Sequence, residues 1–429
     1  MKAESLFLMK SSHAINILPL TVLFLSINRG LIVLLAGGRL STQLFYYGVT
    51  IFCISVSLIG MIRKKNQIIG GNMLHRILLI NLLVYIYWIV IEMSLGGDKE
   101  SVSYFLRMAL IPFLIYMFLD INKNVLIRML FVVSVIVSVS CILDFILLNT
   151  NVIANGKDFY LAYQRLLRQD GKPLLRHVAS IYRAMGITGD SYDSGNLMAI
   201  LSVFWFGMLA TRKSRYLIIF VPAFFISLLM TFSVSNIIAA FVGVAVIIIY
   251  KMRSLKSRDI FVAISACIAG YLMCFLTSHF FNFNWSLITM WTKKFQKAEL
   301  ETMTAIGGSD YFSDIFMLFA GHSQTVRISN VPSVTEFAVL KMAYHSGFFV
   351  LMMSLLLMLY PVLCFLKSPK HTRKMMLPAT VAVGVGVLSL WHYGSVIRST
   401  NIFLFYTMFA IAIRNKNCNS LSKTNCAGR

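Results

Sequence analysis

The sequence predicts an all-α, polytopic integral membrane protein with about twelve transmembrane helices and two large loops on the outer side. Three observations predict it. The 429 residues are 58% hydrophobic and 13% charged, with a mean hydropathy of +0.77. The apolar residues fall into repeated runs of about 16 to 24, enough to cross a hydrocarbon layer and too long for the core of a soluble domain. Lys and Arg collect in alternate connections, the pattern left when cytoplasmic loops retain positive charge.

The first run, 15–36, follows Lys2 and Lys10 with no small-residue cleavage site behind it, so it is expected to remain as an uncleaved signal anchor. Spans are expected next at 41–62, closed by Arg63-Lys64-Lys65, at 73–95, and at 103–120, a short one. The run 125–148 begins beside Lys123 and Arg128 and ends at the first long connection. Spans at 193–211, 215–232 and 234–251 follow closely, with Arg212-Lys213-Ser214-Arg215 in the first joint and Lys251 to Arg258 after the last. A span at 260–279 leads to the second long connection. Runs at 343–366 and 375–394 are parted by Lys367 to Lys374, and the short run 400–414 leads into a basic tail from Arg414. With the N-terminus inside, all these basic clusters share one side with only Glu4, Asp120 and Asp259 as acids. Both termini are then cytoplasmic. The net charge of +23 is therefore topology; the bilayer is the expected partner, and no nucleic acid is.

Residues 1–429 read as a single transmembrane domain, with its two large outer loops at 149–192 and 280–342. Loops that long usually carry function. The joint between the sixth and seventh spans is only Thr211 to Ser214, where a two-bundle transporter of the major facilitator type would carry a long inner linker. Five cysteines fall inside spans (Cys53, Cys141, Cys267, Cys274, Cys364) and two in the tail (Cys418, Cys426), so neither a disulfide framework nor a metal site is expected. The inner loops lack a phosphate-binding Gly-Lys-Ser/Thr loop and an Asp-x-Asp pair, so inner-face ATP or sugar-nucleotide chemistry lacks its parts. No cofactor is expected.

In the first outer loop Phe159, Tyr160, Tyr163, Leu166 and Leu167 recur at helical spacing, with Arg165, Arg168 and Lys172 off that stripe. This suits a short helix on the membrane surface. The loop is basic, with Lys157, Arg165, Arg168, Lys172, Arg176 and Arg183 against Asp158, Asp170 and Asp190. Arginine binds phosphate bidentately, so the patch suits an anionic head group, either of a specific ligand or of bulk anionic lipid. Ionisable residues within spans are sparse and lie near outer ends: Arg29, Glu92, Arg107 and Asp144. They could pair, Arg29 or Arg107 with Glu92 or Asp144, around an outward cavity; Arg107 and Glu92 could equally snorkel. The second outer loop supplies Lys293, Lys294, Lys297, Glu299, Glu301, Asp310, Asp314, His322 and Arg327, and Glu336 follows. That set contains acids, a base and cations. Tyr160, Tyr163, Trp285, Trp291 and Tyr311 could stack on sugars or anchor the interface.

This pattern resembles the superfamily of O-antigen polymerases and O-antigen ligases, bacterial inner-membrane glycosyltransferases using undecaprenyl-pyrophosphate-linked glycans. Topology carries it over most of the chain. Locally, Arg183-Ala-Met-Gly186 with Asp190 to Gly195 looks like the family's Arg-x-x-Gly segment, and Thr231-Phe-Ser233 like its Thr-x-Ser segment. Gly321-His322 through Glu336 to Gly347 looks like the run into the late span. Val234 stands where members often have Arg, and Ser333 where the ligase pattern has glycine after His322-Ser323.

The resemblance implies a GT-C-like architecture and a polymerase in lipopolysaccharide biosynthesis, joining lipid-linked repeats at the periplasmic face of the inner membrane. It implies Arg176, Arg183 and Arg327 as pyrophosphate-binding residues and His322 or Glu336 as catalytic base. Expected partners are the undecaprenyl-pyrophosphate-linked glycan, a chain-length regulator protein and a flippase. An O-antigen ligase and a lipid-linked oligosaccharide flippase are the alternatives; the flippase would need polar residues through the full membrane depth.

Overall fold

The computed structural model describes residues 71–94, 106, 108, 109, 111–150, 155–167, 177, 178, 181–211, 216–251, 338–390 and 399–426, besides positions 48 and 55. These residues are almost wholly helical. Helix α1 is Gly71–Ser94; a 3-10 turn at Ile111–Phe113 leads into α2, Leu114–Asp120; α3 is Lys123–Asn149 and α4 Gly156–Leu167. Two short strands, β1 (His177–Val178) and β2 (Ile181–Tyr182), pair antiparallel, with His177 opposite Tyr182. After a 3-10 turn at Gly186–Thr188 come α5 (Ser191–Thr211), α6 (Leu217–Met230) and α7 (Val234–Lys251). The last helices are α8 (Ala338–Met358), α9 (Tyr360–Lys367), α10 (Lys370–Ser389) and α11 (Ser399–Cys426).

Four helices among the described residues are long and apolar enough to cross a membrane: α1, α3, α5 and α7. The bent pair α8–α9 makes a fifth if it is one span. The chain is thus a helical membrane protein. Its β-branched runs show why. Helix α3 carries Val-Val-Ser-Val-Ile-Val-Ser-Val-Ser, residues of modest helix propensity in water; in lipid, where every backbone group must be satisfied within the segment, the helix is imposed. Asn122 caps its start by accepting the Asn124 N–H at 2.9 Å. Ser134 and Ser140 return their hydroxyls to the carbonyls of Leu130 and Val137.

Helix α5 is the axis of the bundle, buried along nearly its whole length and packed against α3, α6, α7, α10 and α11. A helix apolar all round belongs there. Small residues set the spacing. A Cβ at Gly207 would lie 2.8 Å from Pro378 Cα, and one at Gly243 2.5 Å from Val385 Cγ2, so glycine lets these backbones close up as membrane helices do. Trp205 donates to Ser134 Oγ at 2.8 Å and receives the edge of Phe131. On the outside, Leu79, Leu83, Tyr87 and Val90 of α1 and Phe241, Val242 and Ile249 of α7 are exposed apolar groups, the surface such a bundle turns towards lipid.

The two ends of the bundle differ. At one, Lys251 donates to Ala210 O, Arg373 to Ser368 O and Leu366 O, and Arg414 to Ile121 O. Cations there satisfy the free carbonyls of helix C-termini. At the other end lie the end of α3, the starts of α5, α7 and α11, and the segment 181–190.

Several expected boundaries shift. The single span expected at 343–366 is divided, with 51° between its halves, just before Pro361, which stands in the first turn of α9 without an N–H to give. Within α8, Gly347 has φ 79° and breaks the helical path again. A helix is present at the expected place as α4, but its stripe is split: Tyr160 is buried and Phe159 is 70% exposed. The spans expected at 15–36, 41–62 (save positions 48 and 55) and 260–279 lie outside the described residues, as do 280–337 of the second outer loop.

Candidate functional site

The segment 181–190 is stitched to its surroundings residue by residue. Asn149, at the end of α3, exchanges two hydrogen bonds with Tyr182: Tyr182 N–H to Oδ1 at 2.7 Å and Nδ2 to Tyr182 O at 2.9 Å. The Ala184 N–H donates to Met230 O, at the end of α6, at 3.0 Å. The Gly186 N–H donates to Asp144 Oδ2 at 2.6 Å, and that carboxyl also receives the Met185 N–H and the Tyr160 hydroxyl. Gly186 has φ 57°, and a Cβ there would lie 2.9 Å from both Cys141 Sγ and Ser140 Oγ. Left-handed backbone and close approach together require glycine.

Between these anchors stands Arg183, 5% exposed. Its Nε donates to Thr231 O at 2.8 Å, and its guanidinium lies 4.3 Å over the centre of the Tyr192 ring. No carboxylate pairs with it among the described residues, and its buried Nη2 has no hydrogen-bond partner. Burial of a guanidinium is costly, and an unmet buried donor costs about 1–3 kcal/mol. A guanidinium with one edge fixed and a second donor free is shaped to receive an oxyanion.

The turn that accepts Arg183 is strained. Phe232 has φ 47°, a conformation bulky residues rarely adopt. Its ring stacks on Phe145, next to Asp144. Helix α5 presses on the same turn: a Cβ at Gly195 would lie 2.6 Å from Ser233 Cβ and 3.0 Å from Thr231 Oγ1. The segment Arg183–Gly186, residues 190–195 and the segment Thr231–Ser233 therefore form one contact.

Behind this contact runs a buried amide network. Asn196 Nδ2 donates to Ser389 Oγ at 2.6 Å and to Asn236 Oδ1 at 3.3 Å; Asn401 Nδ2 donates to Asn196 Oδ1 at 3.1 Å and to Asp193 O at 3.2 Å. Asn236 Nδ2 reaches Ser233 Oγ at 2.7 Å. The network ties α5, α7, α10 and α11 together beside the site. Sequence reading missed it. Its signal was an amide near the start of each of three apolar runs, at Asn196, Asn236 and Asn401.

Of the candidate residues, Arg183 alone lies among the described residues; Arg176, His322, Arg327 and Glu336 lie outside them. The expected pairing of Asp144 with Arg29 or Arg107 falls on partners outside the described residues. Asp144 is occupied by two backbone N–H groups and Tyr160, while Arg29, Arg107 and the Glu92 side chain lie outside the described residues. Tyr160 is turned inward by that bond and offers no face to a sugar. Tyr163's side chain, Trp285, Trp291 and Tyr311 are outside the described residues. No group of metal-ligating side chains occurs among the described residues. No known family model matches the chain, and no curated protein matches it.

Proposed function

We propose that this chain is an O-antigen-type polysaccharide polymerase, joining undecaprenyl-pyrophosphate-linked repeats at the periplasmic face of the bacterial inner membrane. The observation that carries the reading is Arg183, buried at the end of the bundle opposite the basic end, with Nη2 unmet. In the reaction a hydroxyl of the incoming repeat attacks the anomeric carbon of the growing glycan. The bond from that carbon to the pyrophosphate oxygen breaks, its electron pair leaves on undecaprenyl pyrophosphate, and the hydroxyl proton passes to His322 or Glu336. Charge grows on the leaving group as the bond breaks. A fixed cation in a partly dry site stabilises it more than water would, and no metal is needed for that step.

Two further features support the reading. The two segments that resemble the family's Arg-x-x-Gly and Thr-x-Ser runs touch through the bond from Arg183 to Thr231 O. The polar groups of the site gather at one end of the helices, where a reaction at one membrane face would need them.

Deletion of the gene in its host, followed by electrophoresis of the extracted lipopolysaccharide, tests the proposal. The expected product is core bearing a single repeat. Bare core would transfer the reading to a ligase or a flippase, and an unchanged ladder would remove all three for that glycan.

A further inference from the structure

The segment carrying Arg183 is fixed at both its ends by α3, and one of those anchors is a buried carboxyl that no acid–base or binding role has claimed. Asp144 is buried, yet its hydrogen-bonding partners are the N–H groups of Met185 and Gly186 and the Tyr160 hydroxyl rather than a cation. A backbone N–H held at 2.6 Å by a carboxyl oxygen ties the segment directly to α3. The Ile187 N–H beside them donates to Ser140 Oγ at 3.2 Å. One turn of α3 thus holds three consecutive backbone donors, at residues 185 to 187. Such a run of N–H groups is itself an anion-binding concavity, and Asp144 fills it from within the protein.

We infer that Asp144 is a positioning residue for Arg183: by filling this concavity it fixes where the free edge of the guanidinium lies, and through Tyr160 it links that placement to helix α4. The geometry favours this over simple packing. Arg183 has few other constraints, since its side chain is held by one hydrogen bond to Thr231 O and by the Tyr192 ring. Its backbone is flanked by Tyr182 on Asn149 and by Gly186 on Asp144. Loss of the second anchor frees the left-handed turn at Gly186, and a guanidinium at the end of a loosened loop meets an anion with poorer alignment. Helix α4 enters because Tyr160 is buried against Asp144 while its neighbour Phe159 stands 70% exposed. Tyr160 on its inner side sets the carboxyl, and Phe159 stands on its outer side.

This inference rests on Arg183 being the anion ligand, so the test separates the two. Undecaprenyl pyrophosphate is titrated into the full chain in lipid nanodiscs, with affinity expressed per folded protein and melting followed in parallel. The wild type and the variants Arg183→Ala, Asp144→Asn and Tyr160→Phe are compared. Asp144→Asn is expected to bind about tenfold more weakly, the size of one buried hydrogen bond. Tyr160→Phe, which deletes one hydroxyl, is expected to weaken binding in the same direction with melting near that of wild type. Wild-type affinity in folded Asp144→Asn, or in Tyr160→Phe should Asp144→Asn not fold, overturns the positioning role and leaves the anion reading intact. A lower melting point with unchanged affinity per folded protein also overturns it. If Arg183→Ala binds as wild type, or the wild type does not bind, the anion reading falls and the positioning role with it.

Discussion

Arg183 illustrates how a side chain's surroundings decide its use. One edge of its guanidinium is spent on Thr231 O, its face on Tyr192, and Nη2 is left over. Lysine has the charge but not the fork, so it cannot hold the carbonyl and present a second fixed donor. Arg183→Lys is therefore expected to retain less than about a tenth of the polymer of wild type at equal abundance; near-normal polymer would mean that charge alone suffices. Gly195 is the second test at this scale. Because a Cβ there would sit 2.6 Å from Ser233 Cβ, Gly195→Ala must part α5 from the Thr231–Ser233 turn, at about 1–3 kcal/mol of overpacking. A lower melting temperature in nanodiscs is expected, and an unchanged one would show that the contact can yield. The sequence marks Arg183 and Gly186 as notable, since charge and glycine are visible in one dimension. It does not reveal the fate of Asp144, because the partners are backbone groups that every residue carries.

At the scale of elements, transfer energy locates helices well and breaks poorly. The run 193–211 is largely apolar and buried on nearly every side, and α5 occupies Ser191–Thr211. The run 343–366 is equally apolar, yet it passes through Gly347 and Pro361 and is broken at both. Hydropathy counts the side chains and not the missing N–H. The amphipathic stripe of 159–167 correctly signals α4, but the division between Phe159 outside and Tyr160 inside depends on Asp144, a residue of another helix. The amide network makes a prediction at this level. Asn196 contacts Asn236, Ser389 and Asn401 at once, so Asn196→Leu strands several buried polar groups, each costing about 1–3 kcal/mol. Loss of the folded protein from membranes is expected; normal abundance and melting would show that the network is not a structural requirement.

For the whole molecule, alternating positive charge implies a direction, and the bundle has the polarity to match it. Lys251, Arg373 and Arg414 cap carbonyls at one end, and the Arg183 contact occupies the other. The orientation makes a labelling prediction. A membrane-impermeant maleimide applied to spheroplasts should modify Phe159→Cys, whose parent side chain is 70% exposed, and should reach Lys370→Cys only after the membrane is opened, each relative to the parent chain. The reverse order would invert the topology and move the site to the cytoplasm. The apolar helices were readable because the bilayer imposes them with a simple rule. The site was readable only in part, since it is assembled from residues of α3, α5, α6 and α7 that approach through small-residue contacts with no linear signature.

Stabilisation of the leaving pyrophosphate of a glycan polymerase by Arg183 is open to a complementation experiment. A strain lacking the gene receives the wild type or Arg183→Ala at matched membrane abundance, and its lipopolysaccharide is resolved by electrophoresis. A restored ladder is expected with the wild type and core bearing a single repeat with Arg183→Ala; a full ladder from the variant would show that Arg183 does not serve the leaving group.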